Sequence, residues 1–136
     1  MENLSVIYKT IAAAIGAVVG YLFGSLTETM LILLAAIIID YITGSMASAR
    51  EGRLKSAIGF KSIPKKIAII FMVAVGHLVD LTLNTQNVFR EAVIFFYLSN
   101  ELLSITENVG RLGVPIPNKI KQAIETLREK EEKLNK

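Results

Sequence analysis

Long apolar stretches alternate with short polar interruptions along this chain, and their spacing predicts helices of membrane-spanning length. Between Val6 and Leu26 the only charge is Lys9, and between Thr29 and Ala49 the only charge is Asp40. Each stretch has about twenty residues, which is what an α-helix needs to cross a bilayer core. A third predicted span runs from Lys66 to Asn84 and a fourth from Val88 to Arg111, with a polar connector over 50–65. The segment "GVPIPN" then interrupts the chain at Pro115 and Pro117, and Pro117 suits the first turn of a new helix. That last helix carries Glu129/Lys133 and Glu132/Lys136 at the i,i+4 spacing of a solvated surface. The expected fold is therefore an all-α integral membrane protein. Four transmembrane helices, at about 6–26, 28–49, 66–84 and 88–111, form a domain over 1–111, followed by a charged, amphipathic cytoplasmic helix in 112–136.

Composition changes this picture little. Apolar residues make up 52% and charged residues 20%, values that a soluble protein also shows. The distribution decides: charge is concentrated in residues 50–66 and after 110. Arg50, Arg53, Lys55, Lys61, Lys65 and Lys66 face one acid in the connector, Glu51. The positive-inside rule makes these residues a topological and lipid anchor on the cytoplasmic side, so four crossings put both termini in the cytoplasm. The pI near 9.2 then reflects membrane orientation rather than nucleic-acid binding. The opening Met1-Glu2-Asn3 lacks the basic region of a signal peptide. The chain has no Cys, which excludes disulfides, thiolate nucleophiles and Cys-based metal sites.

Within the apolar runs, small and polar residues recur at helical spacing. Ala12, Gly16, Gly20 and Gly24 form a stripe without side-chain bulk on the first span, a face on which another helix packs closely. The partner helix, in the same chain or another, is open at this point. Ala36, Asp40, Gly44 and Ser48 form a similar seam on the second span, so Asp40 is expected to face protein. The third span carries His77, Asp80 and Asn84 on one side. Two ligands are too few for zinc, and interhelical hydrogen bonding is the expected role. On the fourth span Tyr97, Asn100, Glu101, Ser104, Glu107, Asn108 and Arg111 occupy about a third of the helical circumference. Such an arc lines water or meets other polar groups.

Counting about 1.5 Å of rise per residue from Arg50, Lys66 and Arg111 puts Asp40, His77 and Glu101 each roughly 15 Å deep. This predicts a shared polar layer near mid-bilayer, within one subunit or across an oligomer. Asp40 is either neutral and hydrogen-bonded or charged and paired with His77. No catalytic constellation and no cofactor site is expected, because the single His has no nucleophile grouped with it.

The motifs "DYITG", "GFKSIPKKI", "GHLVD" and "FYLSNELLSITENVGRLGVPIP" together resemble the toxin-secretion/phage-lysis holin family, from the second span to the tail. The resemblance implies a small, non-enzymatic protein of the bacterial cytoplasmic membrane. Members of that family gather into homo-oligomers and open lesions that release an endolysin, or a toxin, without needing to touch it. The family pattern names no catalytic residue. Two readings of other classes stand beside it: a proton-coupled transporter using the intramembrane acids, and a structural membrane partner that docks a soluble protein through its tail. Against the transporter, no inverted repeat with broken helices is visible.

Overall fold

A computed structural model describes residues 1–53, 56–134 and 136. Lys55, one of the expected anchors, lies outside the described residues. The described chain is helical without strands: α1 (Glu2–Phe23), α2 (Glu28–Arg50), α3 (Ser56–Leu83), α4 (Val88–Arg111) and α5 (Asn118–Leu134). Three stretches are long and apolar enough to cross a membrane: Glu2–Phe23, Glu28–Arg50 and Gly59–Leu83. The fourth expected span, α4, is as long as α2, but its polar arc keeps its composition below that mark.

Local chemistry sets each boundary. Gly24 ends α1 at φ 72°, a left-handed conformation that glycine reaches without a steric penalty. Thr27 begins α2 by accepting the Met30 N–H at 3.4 Å. Asn84, Gln86 and Asn87 all have positive φ in the turn between α3 and α4. Asn87 precedes α4 without a side-chain capping bond, and Asp80 of α3 does the capping instead. Its carboxylate accepts the N–H of Phe89 at 2.9 Å and of Arg90 at 2.7 Å, and the Thr85 hydroxyl at 2.5 Å. A negative charge at a helix N-terminus also complements the helix dipole.

The start of α3 departs from expectation. The helix begins at Ser56, ten residues before Lys66, and holds Pro64 inside. Proline removes one helical donor and disfavours a helical conformation in the residue before it. Here the helix absorbs that cost, so Lys66 lies well inside α3 rather than at its end.

The bundle is built around α4, which packs against α2, α3 and α5, while α1, among the described residues, runs close to α3 and adds Phe23 to the edge of the core. The core is Met30, Leu33, Ala36 and Ile37 of α2, Val73 of α3, and Ile94 and Leu98 of α4. Polar contacts hold α4 beside α2 along its whole length, from Thr29–Glu91 at one end to Glu51–Arg111 at the other. Gly76 permits the close approach of α3 to the start of α4: a Cβ there would meet Arg90 Cα at 3.0 Å. Helix α1 has no buried residue, and large apolar side chains such as Ile7, Ile11 and Ile15 are exposed along it. Such a surface is stable against lipid and not against water. Of the tail helix, Ile124 is buried, and α5 packs on α4 alone.

Capping of α4 by Asp80 gives a direct test. Asp80→Ala is expected to lower unfolding stability in detergent by about 2 kcal/mol, and Asp80→Asn by less, because two backbone donors lose their acceptor. A denaturant titration in which both variants match the parent would show that the cap is immaterial.

Candidate functional site

Two polar centres sit at different levels of an otherwise apolar bundle. The first joins three helices. Lys66 Nζ of α3 donates to Asp40 Oδ2 of α2 and to Glu101 Oε2 of α4. Asp40 is 7% exposed and Glu101 5%, so this ammonium is the counter-charge that makes both carboxylates tolerable inside the bundle. With all three ionised, the trio carries one net negative charge. Asn108 extends the network: its Nδ2 donates to Asp40 Oδ1 at 2.9 Å, to the Asp40 carbonyl at 3.3 Å and to Thr43 Oγ1 at 3.2 Å. Gly44 lets Asn108 come this near, since a Cβ there would lie 3.3 Å from Asn108 Nδ2. Arg111 reaches Asn108 Oδ1 at 3.3 Å and grips the Glu51 carboxylate with two nitrogens, each at 2.9 Å. The arginine's hydrogen bonds hold the Glu51 carboxyl below its ordinary pKa. A lowered folded-state value means that this contact stabilises the fold above the ordinary glutamate pKa and is lost as pH falls through the lowered one. A polar cleft of about 200 Å³ runs along this network from Lys66 to Arg111, lined also by Ser48, Ser62 and Ser104.

The second centre lies at the other end of α4. There Asp80 caps the helix, and the Arg90 side chain, 1% exposed, reaches back to the Ser25 carbonyl at 2.6 Å. His77, 8% exposed, lies against Gly24, where a Cβ would meet its ring at 2.7 Å.

This arrangement revises the expected layer. Asp40 and Glu101 do meet, but His77 is not with them. It stands eleven residues beyond Lys66 on α3, roughly 16 Å along the axis. The depth count failed because it took Lys66 as a membrane-edge reference, whereas Lys66 lies level with the carboxylates. Lys66 is accordingly not an edge anchor but the centre of the charged network. Lys65, its immediate neighbour, and Lys61, five residues earlier, are exposed, and Arg53 is exposed beside Glu51. The Arg50 guanidinium lies against Gly113, which closes the end of α4.

The polar arc of α4 is divided. Glu101 and Asn108 are buried in the network, Ser104 lines the cleft, and Asn100 and Glu107 are exposed. The glycine stripe of α1 is divided too. Gly24 packs on His77, whereas nothing lies within 4 Å of a Cβ on Gly16 or Gly20. Two residues with central places here, Lys66 as a buried partner and Arg90, escaped the sequence reading. A signal for Lys66 existed: two carboxylates within apolar runs require a cation from a third helix. Among the described residues, no group of three His, Cys, Asp or Glu side chains is placed to hold a metal.

Three apolar helices of spanning length, two of them packed on a fourth that is amphipathic and fastened by buried charge, define a multi-pass membrane protein. Residues 17–129 match the bacteriophage holin family, and the chain belongs to it. That family is not a family of enzymes. Similar proteins are themselves uncharacterised. One from Listeria innocua is 48% identical over 121 residues, covering 89% of this chain and 86% of its own length. One from Halalkalibacterium halodurans is 40% identical over 135 residues, covering 96% of this chain and all of its own. A 14.9 kDa protein encoded 3′ of nagH in Clostridium perfringens is 36% identical over 131 residues, covering 96% and 99%. No solved structure matches.

The trio predicts strong coupling among its members. Lys66→Met alone is expected to destabilise the protein by about 3–5 kcal/mol, because two buried carboxylates lose their cation. Adding Asp40→Asn and Glu101→Gln to it should restore most of that loss. His77→Gln combined with Asp40→Asn should be additive within about 0.5 kcal/mol. Unfolding titrations that show Lys66→Met to be neutral, or the triple variant to be worse, would remove the trio from the account.

Proposed function

We propose that the protein is a holin: it gathers into homo-oligomers in the bacterial cytoplasmic membrane and opens lesions through which an endolysin, or a toxin, leaves the cell. The observation that carries this reading is the fastening of α4. Its polar residues Glu101 and Asn108 are held by Lys66 and Asp40 inside a frame of apolar helices. A helix with such a face is stored compactly in one subunit and, once released, offers the same face to water in an assembly. The described subunit is the stored state and the lesion the released one, which gives the two-state element that a timed event requires.

In this reading α4 is the fourth crossing. It matches α2 in length and stays in contact with it from end to end, and the exposed cations Arg53, Lys61 and Lys65 mark the cytoplasmic side. Both termini then lie in the cytoplasm, with α5 as a cytoplasmic tail. Asn100 and Glu107, exposed on α4, supply polar contacts between subunits. Gly16 and Gly20 become helix contacts only as subunits repack during assembly. The endolysin is a functional partner that uses the lesion without binding the protein. The net charge of the trio also makes the stored state sensitive to membrane potential: a charge crossing the full field is worth ~2.3 kcal/mol per 100 mV, and one moving part way a fraction of that.

Expression in cells that also make an endolysin and a cytoplasmic reporter tests this. The expected outcome is a delay, then abrupt lysis with release of the reporter, and a shorter delay for any Lys66 variant that still inserts. Uncouplers should advance lysis. Proton-dependent solute flux without reporter release would identify a transporter instead, and neither effect would leave a structural partner.

A further inference from the structure

A groove of about 390 Å³ lies between α1 and the α2 side of the bundle, with Ile70 of α3 and Arg90 of α4 also lining it. Its walls are apolar, formed by residues that include Gly16, Gly20, Phe23, Leu34 and Ile70, and one charged residue, Arg90, lines it. Arg90 is 1% exposed, and among the described residues its Nε and Nη1 have no hydrogen-bond partner. Nη2 alone is satisfied, by the Ser25 carbonyl at 2.6 Å and more weakly by Thr27 Oγ1 at 3.5 Å. No carboxylate forms an ion pair with Arg90 among the described residues, and the nearby Asp80 and Glu91 are bonded to backbone amides and threonine hydroxyls. A buried guanidinium without a counter-ion is costly, and two of its donors are idle.

We infer that this groove binds an anionic phospholipid. The headgroup phosphate meets the free N–H groups of Arg90, and an acyl chain lies along Gly16 and Gly20. Shape and charge both favour this occupant. The single cation stands at the level of the α1–α2 loop, where Ser25 contacts it, and the apolar walls run from there toward mid-membrane. Gly24 to Gly16 covers about 12 Å of α1 at ~1.5 Å per residue. Guanidinium and phosphate form a charge-assisted, two-pronged pair. The glycines leave room for the chain, since a Cβ on either Gly16 or Gly20 would touch nothing within 4 Å. Lipid held here fills the space between α1 and its own bundle. The inference does not depend on lysis.

The test uses the full chain in bilayer nanodiscs of mixed phosphatidylglycerol and phosphatidylcholine, with co-released lipid counted by native mass spectrometry. The parent protein should retain phosphatidylglycerol over phosphatidylcholine by on the order of tenfold. Arg90→Gln should abolish the preference. Gly20→Leu, which fills the groove and leaves the cation in place, should reduce retention of both lipids. Circular dichroism on each variant checks that the helices persist, and Gly20→Leu carries the test if Arg90→Gln does not fold. Equal retention of the two lipids by the parent, or an unchanged preference in Arg90→Gln, would overturn the inference. So would retention unaffected by Gly20→Leu. Disulfide-linked dimers of a Gly20→Cys variant in the same discs, formed in place of retained phosphatidylglycerol, would give the groove to a second copy and overturn it too.

Discussion

Two carboxylates inside an apolar bundle need a cation within reach, and the rest of this structure is arranged so that Lys66 is that cation. Asp40 comes from α2, Glu101 from α4 and Lys66 from α3, so one ammonium ties together the three helices that share the core. Hydrophobic burial does not perform this task in lipid, because tails and side chains are equally apolar. Packing, hydrogen bonds and charge pairs are what remain. The seam of small residues on α2 serves the same end: Gly44 clears the space in which Asn108 reaches Asp40.

The centre of the bundle is thus the most polar of its four long helices, an inversion of soluble architecture. Helix α4 is capped by Asp80, clasped midway by Lys66 and Asp40, and fastened at its far end by Arg111 on Glu51. Each attachment is electrostatic, and breaking either of the two buried ones leaves a charge without its partner in a medium that solvates charge poorly, whereas the exposed Arg111–Glu51 pair contributes less. A subunit held in this way is stable while every partner is in place and loses stability steeply once one is removed. That behaviour suits the proposed function, in which a quiet state precedes a sudden one.

Much of this was legible in the sequence. The expected spans 28–49 and 88–111 differ by at most one residue at either end from α2 and α4, because hydropathy breaks sharply at Thr27, Arg50, Asn87 and Arg111. Helical spacing placed Asp40 on a seam facing protein, but the charged partner it suggested was His77, where the fold has Lys66 and Asn108. Three features did not follow. Pro64 read as the end of a connector, and the proline's effect on its own helix is small beside the packing of α3 as a whole. That single boundary misplaced Lys66, and through it the depth of His77. The role of Arg90 is not visible in the sequence, because an arginine next to a glutamate in a short connector carries no sign of which of the two turns inward. In the fold, Glu91 turns to Thr29 while Arg90 turns inward.

The central claim is that α4 must leave α2 for the protein to act. The chain has no cysteine, so a pair of introduced thiols gives an unambiguous lock. Gly44 and Asn108 suit it, since they face each other across α2 and α4, with a Cβ at 44 lying 3.8 Å from Asn108 Cγ, the position a cysteine sulfur at 108 would take. A Gly44→Cys, Asn108→Cys double variant should release dye from loaded lipid vesicles when reduced and hold the dye when oxidised, with release restored by reductant. Equal release from the oxidised and reduced forms, with the cross-link verified, would contradict the account.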